Sequence, residues 1–366
     1  MIAVFYTAAF TEDKNLENKK ILTGVSGGVD SSVCVDLLKK QGFEVYGAVI
    51  NFNDHSDSAI EDAHKVCAHL DIPICVIDAR DNFEKNVVEP FCKSYISGRT
   101  PNPCVVCNPL VKLKSLCDKA DEMGIFYIAT GHYAQIVEEN GIFYVKKATN
   151  PAKDQSYMLH RLPQDILKRL VLPLGQYEKP EIRAMAQELQ LFNADKPDSQ
   201  EICFIPDGNH GQFIEARGYK IKKGFFIAPD GKRLTRHNGI HNYTIGQRKG
   251  LNIALGKPAF VKEICENGDI LLGFAGEEFF DGVTLENPVY TDGKFFGKGD
   301  EFIVKIRSAA KGDLAVVEHS DENSIVLRFP TPVRAAAKGQ SVVMYKNDTV
   351  MGGGFISAAN AYINQD

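Results

Sequence analysis

Strand-like and helix-like patterns alternate from residue 20 to residue 130, and this alternation constrains the fold more than any other feature. Apolar runs typical of buried strands cover residues 21–25, 45–50, 74–77 and 126–129. Helical apolar spacing covers residues 30–41, 59–70 and 110–123. Parallel strands joined by right-handed helical crossovers are the arrangement that such alternation favours. The first half of the chain therefore predicts an α/β domain with a doubly wound parallel sheet.

Beyond residue 207 the pattern changes to short alternating runs that Gly, Asn and Asp interrupt, such as residues 224–228, 302–306, 324–329 and 340–345. These runs predict antiparallel strands in a small central β domain and a C-terminal β-barrel. A length of 366 residues, at roughly 100–200 residues per domain, fits two or three domains. We predict an α/β plus all-β chain with a catalytic domain at residues 1–206, a basic central domain at 207–276 and the barrel at 277–366.

Composition and cysteine usage narrow the cellular setting. A content of 44% hydrophobic and 24% charged residues is typical of globular proteins. No apolar run approaches the ~18–20 residues that span a bilayer. The nine cysteines are odd in number, and several lie in apolar stretches. These features favour free thiols in a reducing compartment over a set of disulfides. We therefore predict a cytoplasmic protein without a membrane partner.

A glycine-rich loop, residues 23–32 (TGVSGGVDSS), lies where a predicted strand turns into a helix. Glycines let the backbone approach an anion, and the N–H groups of the helix start bind it. The loop lacks the Gly-Lys-Ser/Thr of a Walker loop, which disfavours a standard phosphate-transfer enzyme. Asp30 has two predicted roles that can coexist, namely capping the helix and holding Mg²⁺ beside a pyrophosphate.

Two cysteines lie in residues 99–109 (RTPNPCVVCNP). With Asn108 as N-cap and Pro109 as the first helical residue, Cys107 would lie at a helix start, where its thiolate is stabilised. The spacing between Cys104 and Cys107 also fits a metal half-site, a redox pair or two buried thiols. A third cysteine, Cys203, lies in residues 198–205 (DSQEICFI).

The order of six motifs resembles the bacterial tRNA-specific 2-thiouridylase family of the N-type ATP pyrophosphatases. The motifs are residues 23–32, TPNPCVVCN at 100–108, ATGHY at 129–133, KDQSY at 153–157, DSQEICFI at 198–205 and YTIGQRKGL at 243–251. The Ser-Gly-Gly-x-Asp-Ser loop is shared with many synthetases, whereas the last motifs are more specific. The resemblance runs from about residue 20 to residue 354. It implies an adenine nucleotide alpha-hydrolase-like fold for the first domain.

In this family ATP adenylates the 2-carbonyl oxygen of the wobble uridine in tRNAs of the Lys, Glu and Gln type, and a persulfide sulfur then displaces AMP. The resemblance implies that Cys203 receives the persulfide from a sulfur-relay protein or a cysteine desulfurase. It implies that Cys107 is the nucleophile that frees the sulfur and can form a disulfide with Cys203. ATP and Mg²⁺ are the implied cofactors.

The resemblance also implies two sets of binding residues. Those that contact ATP match Gly24, Val25, Ser26, Gly27, Gly28, Val29, Asp30, Ser31, Ser32, Ile50 and Gly131. Those that contact tRNA match Asn102, Pro103, Cys104, His132, Lys153, Asp154, Gln155, Arg307, Ser308 and Gln340, and residues 102–104 lie against the target base. His132 is a candidate on position alone, because it follows a predicted strand's carboxyl end, where open α/β sheets bind ligands. Residues 153–155 alone would also fit a solvated loop.

Cys104 departs from the family pattern, which usually has Asp there as the proposed acid/base group for the uridine. General acid/base catalysis at this position is therefore in question. As an alternative, Cys104, Cys107 and Cys203 are the three-thiolate set that some tRNA thiolation enzymes use to hold an iron–sulfur cluster with one open iron. Zn²⁺ is disfavoured, because neither motif offers a fourth Cys or His ligand.

The net charge of −5 ordinarily disfavours a nucleic-acid partner, but the charge is unevenly distributed. Residues 217–262, called the basic segment below, contain a single acidic residue, Asp230. Their eleven basic residues are Arg217, Lys220, Lys222, Lys223, Lys232, Arg233, Arg236, Arg248, Lys249, Lys257 and Lys262. Such a segment is typical of a surface that faces a polyanion, and a solvated face is the alternative.

These observations together predict an ATP-dependent tRNA-uridine 2-sulfurtransferase. The rival hypotheses are another adenylating ligase such as an aminating synthetase, an iron–sulfur-dependent tRNA thiolase, and an RNA-binding module whose nucleotide loop has lost its activity. Release of pyrophosphate from ATP that depends on tRNA would separate an adenylating tRNA enzyme from the others.

Overall fold

The computed structural model describes residues 20–54, 56–197, 202–205 and 207–361. The chain divides into two compact units, each discontinuous in sequence. The first contains Met1–Val87, Cys104–Gln200 and Asp348–Met351, and the second contains Val88–Pro103, Glu201–Asn347 and Gly352–Asp366. Residues 198–201 of the DSQEICFI motif lie outside the described residues, whereas Cys203 lies within them.

A parallel sheet forms the centre of the first unit. Its strands and the hairpin beside it are β1 (Lys20–Gly24), β2 (Glu44–Asn51), β3 (Ile74–Asp78), β4 (Tyr127–Ala129), β5 (Ala134–Glu139), β6 (Ile142–Lys147) and β7 (Leu170–Val171). The sheet order is β3-β2-β1-β4-β7 with every neighbouring pair parallel, and β5 and β6 form the hairpin. The predicted doubly wound sheet is confirmed. The direction of winding reverses between β1 and β4, and ligands bind at the carboxyl ends of strands at such a point.

The helices of the described residues are α1 (Val29–Lys40), α2 (Asp57–His69), α3 (Arg80–Phe83), α4 (Glu89–Ile96), α5 (Pro103–Cys107), α6 (Leu113–Glu122), α7 (Ser156–Leu159), α8 (Gln164–Leu167), α9 (Lys179–Glu188) and α10 (His210–Ala216). Residues Glu84–Val88 and Asn108–Lys112 are π-helical, and Pro173–Gln176 and Ile240–Asn242 form 3₁₀ turns. Apolar residues of α1 and α9 pack with those of β1 and β2 in one core. Within the described ranges, no helix combines the length and apolar character needed to cross a bilayer.

The helical stretch that carries Cys107 begins at Pro103, six residues before the predicted first helical residue, Pro109. Helix α5 starts at Pro103, whose fixed φ suits the first helical position, and helical structure continues through the π-helical segment into α6. Asn108 is buried, and its Nδ2 donates a hydrogen bond to the Met158 carbonyl at 3.0 Å. The predictions that Asn108 caps a helix and that Cys107 lies at a helix start are therefore wrong.

The second unit contains two sheets. A central sheet of order β10-β11-β8-β9 contains β8 (Phe225–Ile227), β9 (Arg233–Arg236), β10 (Ala259–Ile264) and β11 (Ile270–Phe274). The barrel strands are β12 (Phe279–Tyr290), β13 (Glu301–Lys305), β14 (Asp313–Ser320), β15 (Ser324–Arg334), β16 (Ser341–Lys346) and β17 (Thr349–Ala361), of which residues 349–351 are counted with the first unit. They run in the order β12-β15-β14-β13-β16-β17, and pairing of β12 with β17 closes an antiparallel barrel. The predicted barrel is confirmed. The antiparallel prediction is wrong for β8 and β11, which pair in parallel. The chain between them, which contains β9 and β10, is long enough for the crossover that parallel pairing needs.

Candidate active site

The glycine-rich loop connects β1 to α1. Gly27 has a φ of +72°, and a Cβ on it would lie 2.6 Å from Asp62 Cβ, so backbone and packing both require glycine. Gly28 is the N-cap of α1, and a Cβ there would meet Ser26 Oγ at 3.5 Å and nothing else within 4 Å among the described residues. Among the described residues, no side chain makes a capping hydrogen bond at the N-terminus of α1. The helix start is therefore open to an anion such as the pyrophosphate of ATP.

Serine hydroxyls fix the loop from inside. Ser31 Oγ donates to the Gly28 carbonyl at 3.0 Å and accepts from the Ser26 N–H at 3.1 Å. Ser32 Oγ donates to the same carbonyl at 2.9 Å. The loop conformation is therefore set by the protein itself, and little reorganisation is needed when a ligand binds.

A second segment of the first unit braces the loop. Buried Asn193 donates from Nδ2 to the Gly27 carbonyl at 2.9 Å and to Ser32 Oγ at 3.2 Å. Lys196 forms an ion pair at 2.9 Å with Asp62, the residue against which Gly27 packs. Loss of a buried hydrogen-bond partner generally costs about 1–3 kcal/mol, so Asn193 contributes to the stability of the loop conformation.

Asp30 accepts two hydrogen bonds at one carboxylate oxygen. Lys179 Nζ donates to its Oδ1 at 2.6 Å, and the Tyr133 hydroxyl donates to the same oxygen at 2.7 Å. The Lys179 side chain is only 9% exposed, so its charge is held beside the loop. The prediction that Asp30 caps the helix is wrong, because Gly28 is the N-cap and the Asp30 carboxylate binds Lys179 and Tyr133. Its role toward Mg²⁺ and pyrophosphate remains a prediction.

Hydrogen bonds connect Asp30 to the helix of Cys107 within the first unit. The Tyr133 N–H donates to Gln155 Oε1 at 2.8 Å, and the Gln155 N–H donates to the Tyr133 carbonyl at 2.7 Å. Gln155 is the N-cap of α7, and a carbonyl of α7 accepts the hydrogen bond from Asn108, which follows Cys107 directly. These contacts therefore join the nucleotide loop to Asn108, the residue that follows the predicted catalytic Cys107.

Ile50 and Gly131 lie at the carboxyl ends of the strands that flank β1. Ile50 is half-buried near the end of β2. A Cβ on Gly131 would lie 3.0 Å from backbone atoms of Asp30 and Ser31, so glycine permits the close approach between the end of β4 and the start of α1. The structure thus brings the predicted ATP residues of the first unit to one edge of the sheet.

His132 follows Gly131 in the same connection. Its Nδ1 lies 2.7 Å from Thr130 Oγ1. Burial, followed by the charge of Lys112, lowers the pKa of His132 to about 3. The ring is therefore neutral at pH 7, and it can exchange hydrogen bonds with a base but carries no charge for a phosphate.

Residues 153–155 form an organised turn. Asp154 Oδ1 accepts from the N–H groups of Ala148 and Ser156 at 3.1 Å each, and its Oδ2 accepts from Ser156 Oγ at 2.9 Å. The Lys153 N–H donates to the Asn150 carbonyl at 3.2 Å. Asp154 therefore has a structural role that is independent of the tRNA contact predicted for it.

The nine cysteines differ in exposure. Cys104 and Cys203 are exposed, Cys107 is buried, and of the remaining six, Cys75 and Cys265 are half-buried and the others buried. Burial raises the pKa of Cys67 to about 12 and that of Cys117 to about 11, as expected for core thiols. Within the described ranges, no group of three or more His, Cys, Asp and Glu side chains is arranged to hold a metal ion. The iron–sulfur set stays a prediction.

Cys203 belongs to the second unit. It lies in a turn in which the Ile205 N–H donates to the Ile202 carbonyl at 2.8 Å. The next side chain, Phe204, is buried and packs edge-on against Phe91 of α4, with ring centroids 5.2 Å apart. The apolar neighbour anchors the turn, and Cys203 itself is exposed.

The segments that carry three predicted tRNA residues of the second unit, Asn102, Pro103 and Gln340, lie side by side. The Thr100 N–H donates to the Lys338 carbonyl at 2.8 Å, which places the segment leading to Asn102 and Pro103 beside the segment leading to Gln340. Arg307 and Ser308 are exposed, and the Arg307 guanidinium donates to the Arg334 carbonyl at 2.6 Å.

The basic segment contributes exposed arginines to the central sheet. The guanidinium carbons of Arg233 and Arg236 lie 4.6 and 5.0 Å from the centroid of the Phe225 ring. Arg248 binds Glu278 at 3.0 Å, so part of its charge is neutralised. Arg233 and Arg236 lie on β9, an edge strand, where a polyanion has access to them.

Sequence reasoning missed Lys179, Tyr133 and Asn193 as functional candidates. Tyr133 lies inside the ATGHY motif, and its place after a strand end was a usable signal. Lys179 and Asn193 lie about 150 residues from the loop in sequence, as the contacts with Asp30 and Gly27 show. Only the tertiary fold brings them to it.

The fold and loop define a class: a nucleotide-binding α/β domain of the HUP type, followed by two β domains. The model of the tRNA methyl transferase HUP domain matches residues 19–207. The tRNA methyl transferase PRC-barrel domain matches residues 211–273, and the aminomethyltransferase beta-barrel domain matches residues 280–356.

Full-length relatives identify the family. The tRNA-specific 2-thiouridylase MnmA 1 of Clostridium tetani is 44% identical over 355 residues, which cover 94% of this chain and 98% of that protein. The tRNA-specific 2-thiouridylase MnmA of Lachnoclostridium phytofermentans is 44% identical over 354 residues, which cover 92% and 99%. The chain belongs to the tRNA-specific 2-thiouridylase family.

Proposed function

We propose that this protein is a tRNA-uridine 2-sulfurtransferase that uses ATP to replace the 2-oxygen of the wobble uridine with sulfur. The observation that carries the proposal is the network from Asp30 through Tyr133 and Gln155 to the helix of Cys107. It links an anion-binding loop to the helical segment that carries Cys107 within one unit, which suits an enzyme that adenylates and then thiolates. Because the substrate is tRNA, the proposed compartment is the cytoplasm.

ATP fits the loop, because the open space at Gly28 and the uncapped start of α1 match a bound pyrophosphate. Gly24–Ser32, Ile50 and Gly131 would bind the nucleotide, and Lys179 would neutralise charge that develops on the leaving pyrophosphate. Asp30 would hold Mg²⁺, which supplies further charge neutralisation at the phosphates. Attack of the uracil 2-oxygen on the α-phosphorus would then release pyrophosphate and turn that oxygen into a leaving group.

Sulfur transfer would follow adenylation. A persulfide on Cys203, which is exposed and accessible to a donor, is attacked at its inner sulfur by the Cys107 thiolate. The Cys203–Cys107 disulfide forms and hydrosulfide leaves, and the hydrosulfide displaces AMP from carbon 2 of the uracil. Each turnover therefore consumes one persulfide and leaves one disulfide, which an external dithiol must reduce.

The proposed tRNA contacts divide between the units. Cys104, His132 and residues 153–155 belong to the first unit, and Asn102, Pro103, Arg307, Ser308 and Gln340 belong to the second. The proposed substrates are tRNAs of the Lys, Glu and Gln type, and the proposed persulfide donor is a sulfur-relay protein or cysteine desulfurase. Cys104 at the base-facing position keeps the iron–sulfur-dependent route as a second candidate.

Mass spectrometry of nucleosides tests this function. The protein, ATP, Mg²⁺, unmodified tRNA and a persulfide donor should yield 2-thiouridine at the wobble position, together with one AMP and one pyrophosphate per product. Absence of 2-thiouridine despite tRNA-dependent pyrophosphate release would leave an adenylating enzyme with a different nucleophile. Product that forms only after reconstitution with iron and sulfide would select the iron–sulfur route over the persulfide route.

A further inference from the structure

The geometry of α5 points to Cys104 as a resolving thiol: we propose that Cys104 reduces the Cys107–Cys203 disulfide left by each turnover and so returns Cys203 to its free form. This inference rests on the proposed function, because the disulfide is a product of the proposed sulfur transfer. It assigns Cys104 a chemical role beyond contact with the target base.

The first observation is the placement of Cys104 and Cys107 on one helix. They lie three residues apart in α5, at opposite ends of one turn. Helical geometry separates such residues by about 5 Å between Cα atoms, which is inside the 4.4–6.8 Å range of disulfides. Their Cβ atoms must approach by a further ~1–2 Å, and the first turn of a helix can adjust because its N–H groups have no intrahelical acceptors.

The second observation is the irregular backbone directly after Cys107. Residues Asn108–Lys112 are π-helical, and such segments interrupt the regular hydrogen-bond ladder and are frequent at functional sites. The helix is thus irregular next to Cys107, where a change of sulfur partner would need a small movement. Asn108, which binds a carbonyl of α7, limits that movement to the first turn.

The third observation is the contrast in exposure. Cys104 is exposed and Cys107 is buried, so an external dithiol can reach the first thiol but not the second. A disulfide between Cys104 and Cys107 would therefore be reducible from solvent through the Cys104 sulfur.

The exchange step balances without a further reactant. The Cys104 thiolate attacks Cys107 Sγ, the bond between Cys107 and Cys203 breaks, and its electron pair leaves as the Cys203 thiolate. One disulfide is consumed and one is formed. An external dithiol then reduces the Cys104–Cys107 disulfide and is itself oxidised to a disulfide. Cys203 can receive the next persulfide sulfur before the external dithiol has reduced the Cys104–Cys107 disulfide.

Disulfide mapping after one turnover tests the proposal. Reduced wild-type protein is loaded with persulfide, mixed with ATP, Mg²⁺ and tRNA without reductant, quenched in acid, alkylated and digested for mass spectrometry. The expected map has a Cys104–Cys107 disulfide and alkylated Cys203. A map with a Cys107–Cys203 disulfide and alkylated Cys104 would overturn the proposal. Failure to form any 2-thiouridine would instead contradict the proposed function, so the two failures are distinguishable.

The Cys104→Ser variant supplies a kinetic readout. We expect the ratio of its steady-state rate to its first-turnover rate, measured with a protein dithiol as reductant, to fall about tenfold or more relative to wild type. Cys265→Ser, which changes a half-buried thiol of the second unit, should keep the wild-type ratio and map. An unchanged ratio in Cys104→Ser would show that the reductant acts directly on Cys203 and would overturn the resolving role.

Discussion

The nucleotide loop and the basic segment are both polar, but the protein holds them in opposite ways. The loop is braced from several sides: Ser31 binds Gly28, Asn193 binds Gly27, and Lys179 binds Asp30. These partners are polar groups placed by the fold, so the loop conformation exists before a ligand arrives.

The basic segment instead presents charge on short strands and turns. Arg233 and Arg236 lie over the face of Phe225, an arrangement worth about 0.5–1 kcal/mol at exposed sites. Such contacts orient a guanidinium without consuming its charge. Precise chemistry at the loop therefore depends on hydrogen-bond partners that the fold holds in place, whereas affinity for a polyanion depends on exposed charge. Mutations in the two regions should therefore change different measured quantities.

The largest expected effect is in the sulfur-transfer step. Cys107→Ser and Cys203→Ser should each lower 2-thiouridine formation by about 10³-fold or more, because a hydroxyl can neither carry nor release persulfide sulfur. Pyrophosphate release in the presence of tRNA should persist, because adenylation precedes sulfur transfer. Cys265→Ser is the matched control and should retain both activities. Thiolated tRNA from either serine variant would contradict the assignment of the catalytic thiols.

The next effect separates two lysines of the first unit that each bind a carboxylate. Lys179→Met should slow pyrophosphate release by about 10²-fold and lower stability by about 3 kcal/mol, because it leaves Asp30 with an uncompensated charge. Lys196→Met breaks a pair in which the lysine is exposed and Asp62 is half-buried, and it should cost only about 1 kcal/mol. Chemical denaturation and a pyrophosphate assay measure both quantities. Equal effects of the two variants on pyrophosphate release and on stability would mean that Lys179 stabilises the loop no more than Lys196 does.

A smaller effect is expected at Asn193. Asn193→Ala removes the hydrogen bonds to Gly27 and Ser32 and should raise KM for ATP about tenfold, the equivalent of one buried hydrogen bond. The control is Asn82→Ala, which likewise removes two side-chain hydrogen bonds, one donated to the Leu110 carbonyl and one accepted from the Asn86 amide. We expect the tRNA dissociation constant of both variants to match wild type. A loss of tRNA affinity in Asn193→Ala without a change in KM for ATP would contradict the proposal that Asn193 stabilises the nucleotide loop.

Features that residues adjacent in the chain create could be predicted from the sequence, whereas features that depend on distant residues could not. The loop was predictable because glycines, a strand and a helix that are adjacent in the chain create it locally. The braces at Lys179 and Asn193 were not, because residues distant in sequence meet only in the folded unit. Asn108 and Pro109 carry the signature of a helix start, but burial of Asn108 against α7 outweighed that local preference. The parallel pairing of β8 and β11 likewise depends on long-range topology that short alternating runs do not encode.

The smallest effect at physiological salt concerns the basic segment. Arg233→Ala with Arg236→Ala should flatten the dependence of log Kd for tRNA on log salt by about two units, because two phosphate-neutralising charges are lost. Arg248→Ala with Lys249→Ala should flatten it by less, about one to two units, because Glu278, which Arg248 shares with Arg334, already neutralises part of the Arg248 charge. Phe225→Leu keeps both arginines and should leave the slope unchanged.

The measurement is tRNA binding across a salt series, and pyrophosphate release at saturating tRNA should stay at the wild-type rate in all three variants. A slope that changes equally in both arginine variants would show that the Glu278 ion pair opens when RNA binds, whereas an unchanged slope in both would place the polyanion-facing surface outside the basic segment.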